Sequence, residues 1–104
     1  MATTTVAMAR ASAATTSTTL YTVPSTTAVA VVTNIVLANG AASTSTATIA
    51  IDGKTIVPAV QIPANSVVGF DMKQVIPANA TPKTITGFAS TSAVTIHISG
   101  VEIA

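Results

Sequence analysis

The chain has 104 residues, a net charge of +1, no cysteine, and charged side chains at 7% of positions, against roughly 25% in ordinary soluble domains. That length holds one domain with one modest core, and the lack of cysteine excludes disulfides and thiolate metal sites. Arg10, Lys54, Lys73 and Lys83 are the basic residues and no two are adjacent, so no patch can track a phosphate backbone and nucleic-acid binding is excluded.

No apolar run approaches the ~20 residues of a membrane helix; the longest, Ala28 to Ala38, is interrupted by Thr33 and Asn34. The first ten residues, ending at Arg10, lack the basic and apolar regions of a signal peptide. The chain therefore reads as made in a cytoplasm, with no membrane partner. Thr, Ser and Asn carry its polarity, and Ala, Val and Ile its apolar share. The β-branched residues among them suit pleated surfaces. So little charge gives weak protection against association, which predicts a homo-oligomer.

Residues 1–17 are rich in Ala, Thr and Ser without a sustained period. They are predicted to form an extended N-terminal arm, either disordered or ordering against a neighbouring subunit with Val6, Met8 and Arg10 as anchors. Residues 18–104 form the folded domain. Thr19 to Val23 is a short strand stopped by Pro24. A long strand follows with Val29, Val31, Thr33, Ile35 and Leu37 predicted on one face, ending at the turn signal Asn39-Gly40. Thr46 to Ile51 alternates with Ala47, Ile49 and Ile51 inward.

Asp52-Gly53 then separates two apolar runs by two residues, the signature of a type I′ hairpin, whose central residues both need positive φ. Pro58 and Pro63 flank Ala59 to Ile62, an edge strand or connection. Ser66 to Met72 places Val68, Phe70 and Met72 on one side, and Lys83 to Phe88 is the next strand, with Phe70 and Phe88 as core anchors. In the last strand, Ala93 to Ile103, Val94, Ile96 and Ile98 are in phase and Gly100 suggests a bulge. Ile-Pro-Ala-Asn occurs at Ile62–Asn65 and again at Ile76–Asn79, and reads as two similar turns. With turns every 8–12 residues and no helical period, the chain is predicted to be all-β: a single β-sandwich or jelly-roll-like domain of seven to eight short antiparallel strands.

Chemistry is sparse. His97, the one histidine, lies out of phase with the apolar side of its strand. A Ser-His-Asp reading would need Asp52 or Asp71 beside it, and Ser and Thr are so abundant that a nearby hydroxyl carries no information. One histidine and three scattered acids, Asp52, Asp71 and Glu102, make neither a zinc tetrad nor an EF-hand. Asp52 is explained by its turn, while Asp71 and Lys73 share a strand face as a solvated or interface pair. No Gly-rich phosphate loop is present, and three aromatics are too few for a stacking platform. The expectation is a protein that is not an enzyme, with no catalytic, metal or cofactor-binding residues and no cofactor. Tyr21 is predicted to offer its hydroxyl to a backbone partner. Candidate subunit-contact residues are Val6, Met8, Arg10, Tyr21, His97 and Glu102.

Several stretches resemble a family of small tailed-bacteriophage virion proteins: Thr19-Leu-Tyr-Thr-Val-Pro24, Ala28-Val-Ala-Val-Val-Thr-Asn-Ile-Val36, Ile62-Pro-Ala-Asn-Ser-Val67, Phe70-Asp-Met-Lys-Gln-Val75 and His97-Ile-Ser-Gly-Val-Glu-Ile103. Together they span roughly residues 18–103. The resemblance implies a β-sandwich attached to a capsid or tail lattice: a capsid decoration protein on the outside of a phage head, with the major capsid protein as partner, a trimer as its oligomer and the capsid surface as its location. Alternatives are a tail or fibre component that binds the host surface, and a self-assembling coat or filament subunit.

Overall fold

A computed structural model describes residues 3–103, which form eight strands and no helix: β1 (Thr3–Ser12), β2 (Thr18–Thr22), β3 (Val29–Asn39), β4 (Ser45–Ile51), β5 (Lys54–Ile62), β6 (Ser66–Ile76), β7 (Thr84–Ala89) and β8 (Val94–Ile103). They pair antiparallel in two four-stranded sheets of order β1-β8-β3-β6 and β2-β7-β4-β5. Strand alternation points one side of each sheet inward. Ile35, Leu37, Ile96, Ile98 and Ile76 of the first sheet meet Ile49, Ile62 and Ile85 of the second, all buried. Burial of such side chains contributes about 1.5–3 kcal/mol each.

The β4–β5 connection follows its sequence signature. Ile51 pairs with Lys54 across Asp52-Gly53, and both turn residues have positive φ, 54° and 73°, as a type I′ turn requires. β5 is one strand rather than two pieces: it runs through Pro58, where Ala59 takes a φ of 45° and the register shifts. As an edge strand it tolerates the missing N–H. The two Ile-Pro-Ala-Asn segments each begin at a buried isoleucine closing a strand, Ile62 in β5 and Ile76 in β6.

Three expectations are corrected. The segment predicted as an N-terminal arm is extended, but Thr3–Ser12 pairs along β8 within the same sheet, with Met8, Ala9 and Ala13 in the core. The predicted segments 1–17 and 18–104 also contain residues 1, 2 and 104, which lie outside the described residues. The inward face of β3 is Ala30 and Val32, then Ile35 and Leu37, because Thr33 is an extra residue relative to β8; this bulge turns Val29 and Val31 outward. Phe88 is not a core anchor. Ile85, Gly87 and Ala89 fill the inward positions of β7, which leaves Phe88 at the surface, 36% exposed.

Gly100 marks the irregular level of the sheet, but β8 itself does not bulge there. The extra residues are Met8 in β1 and Thr33 in β3. Gly100 is needed because a Cβ would run into the Met8 thioether and the Val31 carbonyl oxygen. Met8 thus folds over a glycine and fills the gap that the bulges open.

Candidate functional site

The six candidate contact residues fall into three pairs. Val6 is half-buried and Met8 buried, packed on Gly100 in the core of its own chain. Tyr21 and Glu102 meet each other. β8 continues its alternation past Gly100, which turns the Glu102 side chain toward the other sheet. There its carboxylate accepts the Tyr21 hydroxyl hydrogen. Tyr21 therefore has a side-chain partner, not a backbone one, and the pair bridges the two sheets at one end of the sandwich. Burial first, then the hydrogen bond to Glu102 and its charge, hold the phenol above its ordinary range, since each penalises the phenolate.

Arg10 and His97 remain on the surface. They are opposite each other across β1 and β8, and Val36 and Gly69 complete the row on β3 and β6. All four face outward, and Arg10, His97 and Gly69 are exposed. The next row along is Ala7, Ser99, Asn34 and Asp71, where the Asn34 amide donates to Asp71 at 3.0 Å. Beyond the bulge lie Thr5, Val101, Val31 and Val75, then Thr3, Ile103 and Val29. Val75 is 63% exposed. A shallow hollow of about 540 Å³ opens on this side between Thr5, Arg10, Thr33, Ser99 and Val101. The outer face of the β1-β8-β3-β6 sheet is therefore half apolar and half polar.

Neither acid that a His97 triad would need is brought to it. Asp52 is in the β4–β5 turn of the other sheet, ion-paired with Lys83 at 3.1 Å, and Asp71 is separated from His97 by β3. Among the described residues no three of His, Asp and Glu come together as metal ligands would.

The polar residue that sequence reading missed is Asn39. It is 2% exposed, and its amide nitrogen donates to the carbonyl oxygens of Ser43 (2.9 Å), Ile62 (2.9 Å) and Pro63 (3.3 Å). Its oxygen accepts from the Ala41 N–H (2.9 Å) and the Ser45 hydroxyl (3.5 Å). The Asn-Gly dipeptide reads as a turn, yet Gly40 is not among the positive-φ glycines. Asn39 closes the loops at one end of the sandwich by its side chain.

The strand orders 1-8-3-6 and 2-7-4-5 define the class of the fold: an eight-stranded jelly roll, a double-sheet architecture shared by viral capsid, lectin and cupin domains. Among solved structures, 98% of the chain superposes on a protein of infectious bursal disease virus, Gx strain, with a TM-score of 0.57 and 16% identity over 32% of that protein. A chain of the T13 particle of the same virus gives a TM-score of 0.56 and 15% identity, covering 98% of this chain and 31% of that one. At such identities the likeness is one of fold, and the chain spans about a third of the length of these viral proteins. The C-terminal domain of EclA, a sugar-binding protein, is a looser likeness (TM-score 0.43, 15% identity, 96% of this chain and 75% of that one) and supports no argument. No family model matches the chain, and no curated protein matches its sequence.

Proposed function

We propose that this chain is a structural virion protein that works by assembly, and that its place is the outside of a tailed-phage head, where it binds the major capsid protein and cements contacts between capsomers. The observation that carries the reading is a jelly roll whose broad sheet face presents exposed valines and few charges. The likeness to folds from an icosahedral virus particle supports it, as does the resemblance of the sequence to phage virion proteins. A three-fold oligomer is the stoichiometry that resemblance implies.

In this reading many weak apolar and hydroxyl contacts, repeated by the symmetry of the shell, act together through avidity. With so few charges to screen, attachment holds as salt rises; release of the protein from its particle by salt alone would count against an apolar mechanism. Immunogold electron microscopy of the source virions, with antibody raised against this chain, tests the location. Gold spread over the head supports the proposal, gold confined to the tail replaces it with a tail or fibre component, and unlabelled particles overturn it.

A further inference from the structure

We propose that the outer face of the β1-β8-β3-β6 sheet is a self-complementary interface, on which a second copy of this chain packs face to face about a two-fold axis parallel to the strands and midway between β8 and β3. The inference keeps the assembly reading but rests on this sheet's own geometry, and it puts a two-fold in place of the three-fold oligomer that the sequence resemblance implies.

Such an axis lays β1 of one copy over β6 of the other and β8 over β3, with every row kept at its own level. Val31 then faces the second copy's Val101, Val29 faces its Ile103, and Val75 faces its Thr5. Ser99 is set against Asn34, and His97 against Val36. Arg10 lies over Gly69, whose missing side chain leaves room for a guanidinium. Asp71 is one row further along the same strand, about 6–7 Å away at ~3.3 Å per residue, within reach of the long arginine side chain. Lys73, exposed on β6, stays at the rim where it remains solvated.

Arg10 thus meets the carboxylate of the facing edge, which with Lys73 two residues beyond Asp71 is neutral overall. A two-fold perpendicular to the strands offers no such pairing: with the faces fully overlapped it sets the Thr5-Val101-Val31-Val75 row against the Arg10–His97 row. The area is adequate too. Four strands at ~4.8 Å and ten residues at ~3.3 Å give roughly 630 Å² per copy, or about 1,250 Å² in all, at the lower end of specific interfaces. The aligned packing is that of any two sheets stacked ~10 Å apart.

Sedimentation of the purified chain tests this without any virion present. The expected result is a species of twice the 10.3 kDa chain mass, and a monomer for Val31→Arg, a substitution at a half-exposed outward site whose far-UV circular dichroism should be unchanged. A second variant does not depend on disrupting anything. Thr5→Cys combined with Val75→Cys places two thiols at opposite edges of one face, three strand spacings or ~14 Å apart, beyond the roughly 7 Å reach of a disulfide within one chain. Face-to-face copies set them across the ~10 Å between stacked sheets, too far for a direct disulfide but within the span of a short bifunctional thiol reagent, which should yield a closed two-chain species on a denaturing gel.

A monomer at all concentrations, a trimer, an oligomer that survives Val31→Arg, or a ladder of cross-linked chains indicating edge-to-edge pairing would each overturn the proposal. Its failure is distinct from that of the virion reading. A monomer that still labels the phage head refutes only the interface, and a dimer absent from the particle refutes only the location.

Discussion

Replacing Asn39 with alanine removes the side chain that holds three loop carbonyls and one loop N–H at a single point. The Ile62 carbonyl is buried with its bond to Asn39, so it loses that bond where water does not readily replace it, at a cost of about 1–3 kcal/mol. The Ser43 and Pro63 carbonyls and the Ala41 N–H are part-buried and recover some hydration, at about half that cost between them, and the emptied volume adds a cavity penalty. The sum is about 3 kcal/mol, a large fraction of the 5–15 kcal/mol that holds a typical domain. Urea unfolding followed by far-UV circular dichroism should show the midpoint falling at unchanged slope, and the melting temperature should drop by roughly 12 °C or more at about 4 °C per kcal/mol. Asn39→Asp sharpens the test. An ionised carboxylate still accepts from Ala41 and Ser45 but cannot donate to the three carbonyls, so at neutral pH it should destabilise at least as much as alanine and regain part of the loss when protonated in acid. A cost below about 1 kcal/mol for Asn39→Ala would refute the view that this side chain closes the end of the sandwich.

Gly100→Ala should cost about 2 kcal/mol or more, because one of the atoms its Cβ meets is the backbone oxygen of Val31 and overpacking against fixed atoms typically costs 1–3 kcal/mol; a combined Met8→Ala, measured by thermal melting, should recover only part. The raised Tyr21 phenol predicts alkaline sensitivity. Above pH ~10, where a free phenol ionises, the unfolded chain gives up a proton that the folded chain keeps, so this contribution is complete below pH ~10 and falls as pH rises beyond it. Urea midpoints at about pH 8 and pH 11 should converge for Tyr21→Phe relative to the parent protein, and an identical drop in both would refute the assignment. Lys83→Ala should change stability by no more than about 0.5 kcal/mol, because the bond to Asp52 is exposed and such pairs contribute little; Asp52→Ala, which puts alanine at a φ of 54°, should cost more than Lys83→Ala in the same urea assay.

The strands were legible because β-branched residues alternate and turn residues punctuate them. Seven of the eight strands and the phase of Val94, Ile96 and Ile98 follow from period-two patterning, and the Asp52-Gly53 hairpin from its turn residues. What the pattern hides is any residue out of step with it. Thr33 is an ordinary strand residue in composition, yet as a bulge it reverses which valines of β3 face the core. β1 was obscured because its inward positions are alanines and one methionine, too small or too adaptable to announce a buried strand. The candidate site was legible for Arg10 and His97, polar residues standing outward in apolar strands. It was not for Tyr21 and Glu102, whose partnership depends on two sheets closing over each other, a fact that no single segment contains. Asn39 was hidden by its own neighbour, since Asn-Gly reads as a turn.

The four edge strands bear on how such a chain can associate. A long regular edge invites pairing with any exposed strand, and proteins interrupt edges to prevent it. Here β5 is broken at Pro58 and Ala59, and β2 has five residues with a register shift at Leu20. β6 is irregular between Asp71 and Gln74 and carries Lys73 there, and β1 shifts at Met8. None of the four offers an unbroken row of free backbone groups along its whole length. On the broad face of the first sheet the charged side chains Arg10, Asp71 and Lys73 stand on the outer strands β1 and β6, and Val29, Val31, Val101 and Ile103 lie together on β3 and β8 between them. In a chain with so little surface charge, interrupted edges disfavour open-ended strand pairing, which leaves a bounded contact between sheet surfaces, closed by the proposed two-fold, as the alternative.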